Sequence, residues 1–284
     1  MINTKTLLAA LAIAFGLAAP AFAQEHSTPH IEKQQWRFAG IFGTYDRNQL
    51  QRGFQVFREV CASCHSARLI SFRNLSEEDG PAFSEEQVKA LAAEYDVVDP
   101  TAENGTRKGV AADRWPAPYP SEQDARDANG GALPPDFSVL AKARGIVDPF
   151  PSWILIYFTG YSEGGPDYIH ALLNGYHAEV PETAPEGFVM PEGKYYNDYF
   201  PGHAIGMPPP LQDGQVTYAV AEGQEEVPLT VQQYSTDVSA FMMWMAEPGL
   251  PARKETGFKV ILFLVLFAGL LWATKRRIWA GIEH

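Results

Sequence analysis

The sequence predicts a mainly α-helical domain with long loops, exported across a membrane and held to it by one C-terminal helix. Three observations carry this. Apolar residues recur at spacings of three and four in several short stretches, while strand-like alternation is scarce. The intervening segments are rich in Pro, Gly, Asn and Asp. Long apolar runs stand at both ends of the chain.

The terminal runs differ in kind. Lys5 precedes an apolar run from Leu7 to Ala19, followed by Pro20 and Ala21-Phe22-Ala23, the pattern of a secretory leader over residues 1–23. As a helix it would reach only about 20 Å, short of a hydrocarbon core of about 30 Å. Val260 to Ala273 is uninterrupted apolar sequence, and with Gly257, Phe258 and a snorkelling Lys259 it predicts one span over 257–274. Lys275-Arg276-Arg277 follow directly, and Trp272 and Trp279 sit where interfacial aromatics belong. A basic cluster stays cytoplasmic, so 275–284 is expected as a cytoplasmic tail on the inner membrane. Residues 24–250 then form a periplasmic domain, joined to the span by a linker at 251–256.

Between these ends the chain has the composition of a foldable protein, 46% hydrophobic and 20% charged. The net charge of −12 argues against nucleic acid and for a basic partner. Nine acidic residues and one lysine, Lys89, lie between Glu77 and Glu103. That run is either a solvated surface or a docking face.

Leu50, Phe54, Phe57, Cys61 and Cys64 form one helical stripe, with Asp46 as N-cap and Gln49 placed to close a capping-box-like pair. A second helix is expected from Ser84, paired with Gln87, with Val88, Leu91, Ala92 and Tyr95 on one face. Residues 100–135 read as loops. Asp136 to Gly145 reads as a short helix with a glycine stop. Asp167 to Tyr176 reads as another, capped by Asp167 and ended by Asn174-Gly175. Residues 178–228 are irregular, with a weak strand signal at 216–220. The last soluble helix is expected from Thr230 to Glu247, on Val231, Tyr234, Val238, Phe241 and Met245. Loops of this length count against a compact domain unless something other than polypeptide fills its core.

The only two cysteines stand in Cys61-Ala-Ser-Cys64-His65. A thioredoxin-like dithiol needs a βαβ setting, and the sequence offers none. A structural zinc site needs four ligands, and nothing completes one. Covalent haem attachment fits: each thiol adds to a vinyl group and the next histidine ligates iron. On a helix, Cys61, Cys64 and His65 at i, i+3 and i+4 share a face with Phe54 and Phe57. The sixth ligand must come from elsewhere. Met207 leads, because the three prolines after it stiffen its segment without hydrogen bonds; Met190 and a histidine such as His203 remain open. His/Met ligation fills the coordination sphere and raises the potential, which describes an electron carrier.

At larger scale the chain resembles the cytochrome c1 family, the haem subunit of the quinol–cytochrome c oxidoreductase (cytochrome bc1) complex, in its bacterial form. The likeness covers nearly all of the chain expected after the leader. It rests on RGFQVFREVCASCHS (52–66), KALAAEYDVVDP (89–100), PAPYPSEQDARDANGGALPPDFS (116–138), DYIHALLNGY (167–176), YYNDYFPGHAIGMPPPL (195–211) and DVSAFMMWMAEP (237–248). The resemblance implies a cytochrome c-like haem domain with one haem c held by Cys61 and Cys64. It implies His65 and Met207 as axial ligands, Arg144 near a haem propionate with Tyr168 beside it, and Asn129, Ala132, Leu133 and Pro134-Pro135 lining the pocket. Electrons would arrive from the Rieske iron–sulfur protein and leave to a periplasmic cytochrome c. Cytochrome b would hold the quinone sites in a dimeric complex, so this chain alone would not turn over. The family also implicates the acidic run in contacts with basic partners.

Two departures stand out. The extra disulfide of some bacterial members has no cysteines here, and the segment 148–165, with its apolar WILIYF, is longer than in mitochondrial members. The competing functions are a monohaem subunit of another membrane enzyme and a periplasmic thiol–disulfide protein.

Overall fold

The structure, a computed structural model, describes residues 31–144, 164–219 and 226–281. The expected leader, the WILIYF segment and Gly145 lie outside them.

Seven α-helices and five short strands occur among the described residues. Helix α1 is Arg47–Glu59, started by Asp46, whose carboxylate accepts the Gln49 N–H at 2.9 Å. Helix α2 is Glu85–Ala92, and here Ser84 and Gln87 close the full reciprocal box. Helices α3 (Glu122–Ala128) and α4 (Leu140–Ala143) are short. Helix α5 is Gly165–Asn174, α6 is Val231–Ala246 and α7 is Leu250–Trp279.

Two of the expected helices change in detail. The helix expected from Asp136 shrinks to one turn, because the Asp136 carboxylate accepts hydrogen bonds from Ser66 Oγ and the Arg68 N–H as well as from Ser138. It ties two loops together instead of starting a helix. Asp167 is not the cap of α5 but lies in its first turn, fully buried, and accepts from the Trp36 indole at 2.7 Å and the Gln34 N–H at 2.9 Å.

The strands are weaker signals still. An antiparallel pair joins β1 (Asp96–Val98) to β2 (Thr106–Lys108), with Val97 opposite Arg107. A three-stranded antiparallel sheet orders β3 (Tyr176–His177), β4 (Tyr195–Asn197) and β5 (Ala204–Ile205). The described part of 216–220 forms no strand, although Val216 and Tyr218 are buried against α6.

The core is built where α1 crosses α6. A Cβ added at Gly53 would lie 2.1 Å from the Asp237 carbonyl oxygen, so the two backbones approach to a distance only glycine allows. Around that crossing Phe54 and Phe57 pack on Trp115 and Phe241, and Phe241 packs on Trp244. Met242, Met243 and Met245 are all buried in this core. Arg52 closes the crossing with a bidentate pair to the buried Asp237, both contacts 2.9 Å, and Tyr218 donates to the same carboxylate at 3.0 Å.

Helix α7 is long and apolar enough to cross a membrane: its most apolar 18 residues have a mean hydropathy of 2.1, and none of them is buried in the domain. It begins at Leu250, so residues 251–256 are its first turns. They grip the domain: Lys254, itself buried, donates to the Phe38 carbonyl at 2.5 Å.

Candidate functional site

Helix α1 ends at Glu59, and Cys61–Ser63 forms a 3₁₀ turn beyond it. The two thiols and the imidazole therefore do not share a regular helical face. The turn still gathers them, because the Cys61 carbonyl accepts both the Cys64 N–H (3.1 Å) and the His65 N–H (2.9 Å).

The segment after α3 clamps this turn. Phe137 N–H donates to the Ser66 carbonyl at 2.7 Å, and Leu69 N–H donates to Ser138 Oγ at 3.0 Å. His65 Nδ1 lies 2.8 Å from the Pro135 carbonyl. A carbonyl only accepts, so Nδ1 carries the proton and Nε2 keeps its lone pair. Burial lowers the affinity of this ring for a second proton, which keeps the imidazole neutral. The Phe137 ring stacks on it at 4.1 Å.

Cys61 and Cys64 are both free and half-buried. Burial, with Cys64 adjacent, pushes the Cys61 thiol up to about 12. A redox-active dithiol needs the opposite, a stabilised thiolate. A cleft of 330 Å³ opens beside Cys64, lined by Tyr119, Leu133, Pro134 and Pro135 among others.

Several of the expected residues fall into two chains of contact. Tyr119 Oη lies 3.8 Å from Cys64 Sγ and accepts from Asn129 Nδ2 at 3.1 Å. In the second chain Tyr176 donates its hydroxyl to the Met207 carbonyl at 3.1 Å. Burial, and then the neighbouring Tyr168, pushes the Tyr176 phenol above its ordinary range. Burial likewise raises Tyr168, with the positive charge of nearby Arg144 opposing it. The chains approach where a Cβ built at Gly206 would lie 3.2 Å from that of Ala132. Asn129, Ala132, Leu133 and Pro134 thus share one segment that Met207 approaches through Gly206, while Arg144 follows α4 and Tyr168 lies in α5.

The alternatives to Met207 are placed differently. His203 takes a left-handed backbone (φ 60°), stacks on Tyr196 at 5.4 Å and hydrogen-bonds through Nδ1 to the Asn197 carbonyl. Met190 is half-buried in a loop. Sequence reasoning missed Tyr119, Tyr176 and Phe137, whose contacts span 55, 31 and 72 positions of sequence and leave no local signal.

This donor set fits a c-type haem: two adjacent thiols, a neutral imidazole with Nε2 available, and flanking half-buried aromatics. The acidic run is only partly unpaired surface. Glu94 meets Arg58, Asp96 meets Lys108 and Asp99 meets Arg107, while Glu78, Asp79 and Glu103 are exposed.

Comparison with known proteins extends this chemistry. The profile of the Cytochrome C1 family matches residues 36–282. A protein named cytochrome b/c1 from Bradyrhizobium diazoefficiens is 50% identical over 96% of the chain, which spans 39% of that longer protein. Cytochrome c1 of Blastochloris viridis is 48% identical over 97% of the chain and 96% of its own length. Cytochrome c1-2, heme protein, mitochondrial, of Solanum tuberosum is 42% identical over 95% of the chain and 93% of its own length. The turn that gathers the thiols, the clamp on His65 and the helix at the C-terminus all lie inside the matched region, and the chain belongs to the Cytochrome C1 family of electron-transfer proteins.

Proposed function

We propose that this chain is the haem-bearing electron-transfer subunit of a quinol–cytochrome c oxidoreductase, bound to the membrane by α7. The observation that carries the reading is the cysteine turn with His65 oriented by Pro135 and Phe137 and kept neutral by burial. Cys61 and Cys64 would hold haem c, each thiol adding S–H across one vinyl group, and His65 Nε2 and the Met207 thioether would bind the iron. When bound, the haem supplies a one-electron couple at a filled coordination sphere, with a potential raised by thioether ligation.

The protein's own groups do the rest. Pro135 fixes the tautomer and angle of His65, and Phe137 covers its face. Tyr176 holds the backbone at Met207, and Pro208, Pro209 and Pro210 stiffen the segment beyond it. Tyr168 and Arg144 supply a phenol and a cation for carboxylate groups at the pocket edge, and Asn129, Ala132, Leu133 and Pro134 line it.

The family supports cytochrome b and the Rieske iron–sulfur protein as partners, and the Bradyrhizobium relative joins b and c1 in its name. The exposed acids of 77–103 suit a basic cytochrome c as acceptor. The complex is dimeric, with the haem domain on the periplasmic side and residues 275–284 in the cytoplasm.

The test is a redox-titrated optical spectrum with intact mass of the purified chain. The expected result is one c-type haem, a mass increased by a single haem and no titratable thiol. Two free thiols on a colourless protein would overturn the reading.

A further inference from the structure

We propose that the turn at residues 40–43 is a second membrane contact, seating Ile41 and Phe42 at the boundary between phospholipid headgroups and acyl chains. The proposal rests on α7 being the anchor. Phe42 is 74% exposed and Ile41 36%. Among the described residues Phe42 meets the ring of Phe258 of α7, 5.3 Å away at 65°.

Phe258 fixes the depth. The helix from Phe258 to Thr274, the last residue before the basic cluster, would extend about 24 Å at 1.5 Å per residue, most of a hydrocarbon core of about 30 Å. Arg276 and Arg277 mark its far end. One turn before Phe258, Lys254 is buried against the domain on the Phe38 carbonyl. Phe258 therefore sits where the helix leaves the domain and enters lipid, and Phe42, in contact with it, shares that level.

The turn is built to hold its tip. Thr44 N–H donates to the Arg37 carbonyl at 3.2 Å, and Gly40 takes a φ of 74° that glycine tolerates. A Cβ at Gly43 would lie 2.0 Å from the Ala39 carbonyl oxygen. Below the turn, Trp36 stacks on the buried Phe38. A fixed turn has little conformational freedom left to lose when its two apolar side chains meet lipid. Single exposed apolar residues are ordinary, but this pair abuts a membrane-spanning helix. The consequence is orientation: a domain on one helix can swivel, and a second contact beside the anchor limits that freedom.

The test uses the full haem-loaded chain, whose native thiols are closed as thioethers, carrying Phe42→Cys with a nitroxide label in phospholipid nanodiscs. Labels at Phe258→Cys and Val98→Cys serve as lipid and aqueous references. The expected result is that the label at 42 is relaxed more by oxygen than by a water-soluble nickel chelate, as at 258 and opposite to 98. Ile41→Cys repeats the measurement if Phe42→Cys does not fold. A label at 42 that follows 98 while 258 reads lipid overturns the proposal and leaves the anchor standing. A label screened from both reagents means that polypeptide covers the turn, which also overturns it. A label at 258 that reads aqueous overturns the anchor and the proposal together.

Discussion

His65 donates its Nδ1–H to the Pro135 carbonyl at 2.8 Å, across 70 residues of sequence. That one bond sets which ring nitrogen is free, and the Phe137 ring, stacked at 4.1 Å, sets the plane. Phe137 is 8% exposed and also packs on Phe57, so it joins the imidazole to the core. Phe137→Ala should destabilise the haem-loaded protein by about 3 kcal/mol, the usual loss for a large buried aromatic. Denaturant unfolding checks this, with the visible spectrum reporting on the imidazole. A loss under about 1 kcal/mol would mean that Phe137 does not pack as a core residue.

Met207→Leu removes the sulfur and keeps the volume. The expected outcome is a markedly lower potential and an iron that binds carbon monoxide, measured by redox titration and difference spectra. Tyr176→Phe should act in the same direction but more weakly, since it releases only the hydrogen bond to the Met207 carbonyl. Unchanged spectra and potential in Met207→Leu would move the ligand to Met190 or His203.

The α1–α6 crossing gives a prediction independent of haem chemistry. Asp237 is fully buried and holds Arg52 through two bonds and Tyr218 through one. Asp237→Ala strands a partly buried guanidinium and should cost about 3 kcal/mol, as breaking one side of a buried pair does. Gly53→Ala forces the helices apart and should cost a similar amount through strain, roughly 1–3 kcal/mol. Chemical denaturation decides both; neutral substitutions would mean that the crossing is looser than its geometry.

How far the sequence reveals a residue's role depends on how close its partners lie along the chain. The Asp46 cap and the Ser84–Gln87 box were legible because both partners lie within one turn. The stripe of α6 was legible because apolar spacing is a local property. Asp167 misled because its local setting suits a helix cap, while its actual partners, Gln34 and Trp36, come from more than 130 residues away. At the site, the cysteine turn was legible as a motif but not as a 3₁₀ turn, because no glycine or proline marks the end of α1. The small sheet of β3, β4 and β5 was invisible, since strands of two and three residues carry no period.

Acid should loosen the protein where the domain meets its anchor. Glu247, just after α6, accepts from Lys142 near the end of α4 at 2.6 Å and from Arg253 of α7, and its carbonyl accepts the Tyr45 hydroxyl at 2.9 Å. Burial alone would raise its carboxyl, but the hydrogen bonds from Arg253 and Lys142 outweigh that and hold it below its ordinary 4.5. A carboxylate lowered in the folded state stabilises above its unfolded pKa, and that stabilisation disappears as the pH falls through the folded value. The junction should therefore hold at neutral pH and weaken from about pH 4.5 downward. Glu247→Gln, which keeps the shape and removes the charge, should lower stability at pH 7 and flatten the acid limb below pH 4.5. Thermal unfolding of both proteins across that range measures the difference. Parallel acid limbs would show that the Glu247 charge contributes nothing to joining domain and anchor, which would then rest on contacts such as Lys254 with the Phe38 carbonyl and Phe42 with Phe258.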